Sequence, residues 1–320
     1  MTLLRPRRLA PGQTVGLVAP AGAPNEPDRV RFAVDALQSL GFRVHPGKHV
    51  FDREGYFAGA DADRAADLQA MFANPAVDAL WCVRGGYGAS RLLPLLDWDL
   101  IRANPKALVG YSDITALHMA LHTQAGLVSF HGPVAARGFT PYSLAELRRV
   151  LWSDSVPVRL GAPPRAPSLE GQVEWENRVT TLVPGRARGR LLGGNLCLMA
   201  HLAGTPYFPD LRGAILFLED VDEPFYRIDR FLTQLWLSGA LAGLAGMAFG
   251  KLTRCEPSAF YVQNRVLEDI LAERPRTLGV PAIAGLMVGH VDDQATLPIG
   301  CLAELDADAG TLTLLEPGVS

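Results

Sequence analysis

"ALVGYSDITALHMALH", residues 107–122, changes its period in a single step. An apolar run, 107–110, gives way to Tyr111-Ser112-Asp113, and apolar residues then recur at helical spacing. A buried strand that turns directly into a helix is the unit from which α/β sheets are built. Outward from it the first half repeats the pattern. TVGLVAP, FRVHPG, DALWCVRGG and LVSFHGP read as strands, and DRVRFAVDALQSLG, DADRAADLQAMFANP and GASRLLPLLD as helices. The alternation predicts βαβ units and a parallel sheet with helices on both faces, against which Leu37, Leu40, Leu68 and Met71 would pack.

From about residue 150 the text is rich in Pro, Gly and Arg, which marks a linker. Beyond it GGNLCLMAHLAG, FYRIDRFLTQLWLSGAL and YVQNRVLEDILAER read as helices. GAILFLED, GMAFGKL and AGLMVGH read as strands, and CLAELDADAGTLTLLEP as a closing hairpin that turns near Asp308-Ala309-Gly310. The expected division is residues 1–150, a linker over 151–185, and a second, mixed and β-rich α/β domain over 186–320. With 320 residues, 48% of them hydrophobic, the chain can bury a large core. A net charge of −3 gives no reason to expect a nucleic acid or an anionic membrane as partner. The opening MTLLRPRRLAPGQTVGLVAPAG lacks the apolar core of a signal peptide, so the expected location is cytoplasmic. Cys82, Cys197, Cys255 and Cys301 form no C-x-x-C pair and read as buried thiols.

In open α/β sheets ligands gather beyond the carboxyl ends of the strands, and the reactive side chains of this sequence fall at such ends. Ser112 stands on the strand-to-helix turn, where a hydroxyl is held clear of the sheet beside the amide of the next residue. G-Y-S-D-I does not complete the G-x-S-x-G pattern, so on these residues alone Ser112 or Asp113 is either a helix cap or part of a nucleophile's setting. Arg84-Gly85-Gly86 closes another strand and offers either backbone N–H groups for an oxyanion or a plain turn. Glu219 ends AILFLED, and His290 ends AGLMVGH. Serine, imidazole and carboxylate are the parts of a nucleophile, base and orienting acid, with His131 in FHGP the rival base.

RGGYGASRLLPLLD, VGYSDITALH, LLGGNLCLMAHLAGTPY, LFLEDVDEPFYRIDR and LMVGHVDD, in this order and spread over nearly the whole chain, resemble the LD-carboxypeptidases, serine peptidases that include the microcin C immunity peptidases. The resemblance implies a flavodoxin-like, doubly wound N-terminal domain, a β-rich C-terminal domain, an active site between them and a homodimer. It implies Ser112 as nucleophile, Glu219 as orienting carboxylate and His290 as base. Gly86 and Asp113 would give the oxyanion-hole amides, with Gly85 the substitute for Gly86. The implied substrate is a peptidoglycan tetrapeptide that loses its terminal D-alanine in cytoplasmic recycling, with no metal or organic cofactor. The rivals are a serine amidase of the same fold acting on a peptidyl nucleotide or acyl-amino acid conjugate, and a non-catalytic ligand-binding protein.

A free terminal carboxylate calls for an arginine fork, with Arg84 the first candidate and Arg227 and Arg230 the weaker ones, better read as ion-pair residues. Asn195 reads as a helix cap. His118 and His122 stand four apart without the glutamate of a zinc motif, and read as surface or packing residues. His45, His49 and His201 have no evident partners, and Asp222 and Glu223 read as surface charge. The segment 160–190 reads as a substrate-specific loop, in which Trp175 would stack on a base or simply pack.

Overall fold

The computed structural model describes residues 3–26, 28–164 and 177–320. Trp175 lies outside the described residues. The first half runs β1 (Thr14–Val18), α1 (Asp28–Ser39), β2 (Arg43–Pro46), α2 (Asp61–Ala73), β3 (Ala79–Cys82), α3 (Ala89–Leu92), α4 (Trp98–Ala103), β4 (Ala107–Gly110), α5 (Thr115–Ala120), β5 (Phe130–His131) and α6 (Pro141–Leu151). The rest runs β6 (Val158–Leu160), β7 (Thr180–Val183), β8 (Arg186–Asn195), α7 (Leu196–Leu202), β9 (Ile215–Val221), α8 (Phe225–Leu237), β10 (Gly246–Thr253), α9 (Leu267–Leu278), β11 (Ala282–Ala284), β12 (Leu297–Pro298), β13 (Leu302–Asp306) and β14 (Thr311–Leu314).

The first sheet has the order β12-β5-β4-β3-β1-β2, parallel except for β12. Its order 2-1-3-4-5 is that of the flavodoxin-like doubly wound sheet, whose ligand crevice lies where the strand order reverses. Every residue of β3 and β4 is buried, as expected of parallel strands covered on both faces. Leu37, Leu68 and Met71 are buried under the helices, and Leu40 packs at the margin.

The second sheet has the order β6-β14-β13-β8-β9-β10-β11-β7, with β8, β9, β10 and β11 parallel and the other pairs antiparallel. The fold is thus two α/β units with mixed sheets. Two strands, β6 and β7, fall inside 151–185, and β12 returns from the second half to edge the first sheet. One expected strand is absent: AGLMVGH (284–290) overlaps β11 only at Ala284 and continues as a loop. Gly285 (φ +100°) and Gly289 (φ +119°) break the extended run. Gly250 and Lys251 of β10 lie against the Val288 carbonyl, which Lys251 N reaches at 2.9 Å.

Candidate active site

The loops that follow β1, β3, β4 and β5 converge on one cavity of about 490 Å³, lined among others by Asn25, Arg84, Gly86, Ser112, Arg137 and His290. Ser112 leaves β4 in the left-handed region, φ +66°, a conformation that costs a non-glycine residue about 1–2 kcal/mol. Neither Ser112 nor Asp113 caps the helix that follows. Asp113 Oδ2 instead accepts the Ala89 amide at the start of α3, at 2.7 Å. Burial raises its carboxyl to about 6, against the pull of the backbone amides and of Arg64. Gly85 is the residue that lets the β3 loop pass so close to the serine. A Cβ there would sit 2.8 Å from Ser112 Cβ.

His290 Nε2 lies 2.9 Å from Ser112 Oγ, and His290 Nδ1 lies 2.8 Å from Glu219 Oε2. Glu219 is wholly buried on β9, and its other oxygen, Oε1, has no hydrogen-bond partner among the described residues. Gly289 makes room for it, because a Cβ would meet Glu219 Oε2 at 2.7 Å. The loop carrying His290 is tied to the first half of the chain. Arg137 donates to Asp292 Oδ1 at 3.0 Å, Thr140 Oγ1 to Asp293 Oδ1 at 2.7 Å, and Ser143 Oγ both donates to the Asp292 carbonyl at 3.0 Å and accepts the Gln294 amide at 2.8 Å. Tyr111 packs edge-on against the His290 ring, centroids 4.8 Å apart, and its hydroxyl accepts from Arg137 at 3.2 Å.

The rival base is elsewhere. His131 is completely buried between Tyr111, His118 and Phe217, both ring nitrogens lack a partner among the described residues, and burial drives its pKa well below the ordinary histidine value. His118 bridges Ser129 Oγ and the Gly110 carbonyl, each at 2.8 Å, inside the core. Asn195 caps α7 and donates to Asp220 Oδ1 at 2.9 Å, while burial, with Glu219 beside it, raises Asp220 to about 6. Arg227 pairs with Glu223 at 2.8 Å and Arg230 lies over the Tyr226 ring. Neither lines the cavity. Asp222 pairs with Arg254. His49 is a correction: its ring nitrogens lie 2.7 Å from Asp52 and 3.7 Å from Asp63, a surface cluster no local pattern announced. Cys197 is not activated, since burial raises its thiol to about 12.

Arg84, in the cavity wall, donates to the Ala23 carbonyl at 3.0 Å. The sequence reading missed Arg29, Tyr111 and Arg137, which line the same cavity. Arg29 sits on a helix face indistinguishable in sequence from any solvated one. Tyr111 and Arg137 were legible only as neighbours of strand ends.

A hydroxyl, an imidazole and a buried carboxylate within hydrogen-bond reach, at the carboxyl edge of a parallel sheet, define the class of serine-type hydrolases. Residues 15–132 match the LD-carboxypeptidase N-terminal domain and residues 188–305 the LD-carboxypeptidase C-terminal domain. The murein tetrapeptide carboxypeptidase of Pseudomonas aeruginosa is 36% identical over 92% of this chain and 93% of its own. A crystal structure of muramoyltetrapeptide carboxypeptidase from Oxalobacter formigenes superposes with a TM-score of 0.79 at 32% identity, over 95% of this chain and 99% of that one. The microcin C7 self-immunity protein MccF of Escherichia coli is 27% identical over 98% of this chain and 96% of its own. Its complex with aspartyl sulfamoyl adenosine superposes with a TM-score of 0.85 at 26% identity, over 99% of this chain and 100% of that one. The chain belongs to the LD-carboxypeptidase family.

Proposed function

We propose that this enzyme removes the terminal D-alanine from peptidoglycan tetrapeptides by cleaving the L,D peptide bond through Ser112, His290 and Glu219. The observation that carries the reading is the continuous relay Glu219–His290–Ser112, with spacings of 2.8 and 2.9 Å, opening into a cavity walled by Arg29, Arg84 and Arg137. Ser112 Oγ attacks the scissile carbonyl while its proton passes to His290 Nε2. Glu219 holds the ring through Nδ1 and stabilises the imidazolium. The amides of Gly86 and Asp113 stabilise the oxyanion, with Gly85 the substitute donor, each worth about 3–4 kcal/mol in such sites. The imidazolium gives its proton to the departing amine; His290 then deprotonates a water that attacks the acyl carbonyl, and it returns that proton to Ser112 Oγ as the acyl–oxygen bond breaks. A D-amino acid leaves with a free carboxylate, for which Arg84 supplies the planar fork.

The test is mass spectrometry of murein tetrapeptide incubated with the protein. The expected product is the tripeptide with free D-alanine. An intact peptide overturns the reading. The second reading, a serine amidase acting on peptidyl nucleotides, is favoured by the likeness to MccF, and cleavage of an aminoacyl sulfamoyl adenosine in place of tetrapeptide would select it.

The proposal includes a cytoplasmic homodimer. Among the described residues no helix is long and apolar enough to cross a membrane. Leu237 at the end of α8 and Phe260, Val262 and Val266 between β10 and α9 are exposed apolar side chains of the kind that pairing covers. Cell fractionation followed by light scattering on the recovered protein is expected to give a cytoplasmic species of twice the chain mass. A periplasmic form or a monomer refutes the corresponding part.

A further inference from the structure

The loop 84–88 after β3 carries Gly86, whose amide the mechanism above uses for the oxyanion, and it is pinned on both sides of that glycine. Upstream, the Gly22 amide donates to the Gly85 carbonyl at 3.1 Å. Downstream, Arg64 of α2 donates from Nη1 to the Gly88 carbonyl at 3.1 Å and to the Pro20 carbonyl at 2.6 Å. Its Nε donates to the Gly59 carbonyl at 3.1 Å, and its Nη2 pairs with Asp61. The next residue, Ala89, gives its amide to Asp113 Oδ2 at 2.7 Å. Arg64 and Asp113 are 2% and 1% exposed, so water does not compete for either tie.

Ala89 is the first residue of α3, and the free amides of a helix start are ordinarily met by a Ser, Thr, Asp or Asn one position earlier. That position is Gly88, where no side chain fits. At φ +129° a Cβ would stand 2.8 Å from Arg64 Nη1 and 2.8 Å from the Phe57 ring. The acceptor comes instead from the turn that bears the nucleophile, one residue after Ser112. Burial raises the Asp113 carboxyl to about 6, opposed by the amides of Ala89 and Gly88 and by the charge of Arg64. The fold thus keeps an ionisable group where its charged form is costly. What this placement gains is a link between two segments. The Asp113 amide is one of the two oxyanion donors, and the Asp113 side chain holds the loop that supplies the other. On the near side of Gly86 the spacing of the two segments is set by packing, since a Cβ on Gly85 would meet Ser112 Cβ at 2.8 Å. On the far side it is set by the bond from Ala89 to Asp113. Oxyanion donors act only within about 2.7–3.1 Å of the developing charge, and a displacement of about 1 Å in a catalytic site costs on the order of 100-fold.

We propose that the Asp113 side chain makes this a positioning residue, fixing the Gly86 amide relative to the Asp113 amide, so that its loss opens the oxyanion hole and slows attack by Ser112 without weakening substrate binding. The inference rests on the oxyanion-hole reading above. Its test measures kcat and KM for tetrapeptide, and the rate at which a fluorophosphonate labels Ser112, with its phosphoryl oxygen in the place of the oxyanion. Wild type, Asp113→Ala and Asp113→Asn are compared well below the Tm of each. Asp113→Ala keeps both backbone amides and is expected to lower kcat and the labelling rate each about 100-fold, with KM held within about threefold. Asp113→Asn keeps an oxygen for the Ala89 amide and is expected to recover about tenfold of both losses. Should Asp113→Ala not fold, Asp113→Ser takes its place with the same expectation, because its hydroxyl is too short to hold the Ala89 amide at 2.7 Å. A lower Tm with kcat and labelling unchanged makes Asp113 a helix cap and overturns the inference. A loss that falls on KM instead moves the residue to substrate binding and overturns it, and so does an Asn variant as slow as the Ala variant. If wild type is labelled but leaves tetrapeptide intact, the carboxypeptidase reading has failed and the labelling rates alone decide the inference. If wild type is not labelled, Ser112 is no nucleophile and the inference falls with the oxyanion hole.

Discussion

Ser112→Gly and Ser112→Ala are both expected to lose D-alanine release by about 10⁵- to 10⁶-fold, the scale seen when a serine nucleophile is deleted from a triad, and the two dead enzymes are expected to differ in stability. Both remove the atom that would attack, and both remove the 2.9 Å contact with His290 Nε2. They differ at the backbone. Ser112 holds φ +66°, which glycine adopts freely and alanine only against a clash of its Cβ with the backbone. Ser112→Gly should therefore be more stable than Ser112→Ala by about 1 kcal/mol, visible as a higher Tm in parallel melts. Turnover within tenfold of wild type removes Ser112 from the mechanism. An alanine variant that melts above the glycine variant contradicts the strained turn.

Glu219→Gln is expected to lower kcat by about 10⁴-fold, as expected when the orienting carboxylate of a triad becomes an amide, with Tm unchanged or raised. The substitution keeps the shape of a side chain that is wholly buried, so packing barely changes. What changes is the proton. In the proposed triad Glu219 Oε2, 2.8 Å from His290 Nδ1, accepts a hydrogen bond from Nδ1–H, which leaves Nε2 free to receive the proton of Ser112. An amide N–H turned toward Nδ1 favours the opposite tautomer, whose Nε2 is already protonated and cannot act as base. Stability should not suffer, because Glu219 Oε1 has no partner among the described residues and a buried amide costs less than a buried, half-satisfied carboxylate. Steady-state kinetics on tetrapeptide and thermal melts read the two halves separately. A kcat within tenfold of wild type denies Glu219 the orienting role.

The sequence by itself determined the local chemistry: where strands give way to helices, and which reactive side chains stand at those junctions. β1, β3 and β4 were legible because parallel strands covered on both faces leave continuous apolar runs. The helical faces were legible from their 3.6-residue period. AGLMVGH misled for the same reason. Its apolar run is buried as a strand would be, yet Gly285 and Gly289 turn it into a loop, and burial rather than hydrogen-bonded pairing is what the pattern records. β6 and β7 escaped notice because they are short edge strands in a stretch dominated by Pro, Gly and Arg.

Only the tertiary structure decided which of those side chains meet. Ser112 and His290 are separated by 178 positions and Glu219 and His290 by 71, and no local pattern distinguishes His290 from His131. The fold does so by looping residues 290–294 back onto Ser143 and Thr140, which carries His290 to the serine while β5 holds His131 in the core. The arginine wall has the same origin. Arg29, Arg84 and Arg137 occupy separate helices and loops, and they become neighbours only because a doubly wound sheet gathers the loops after its strands at one edge. Periodicity is set by neighbours a few residues apart, whereas a site is set by contacts between residues far apart in the chain, and those exist only once the sheets have closed.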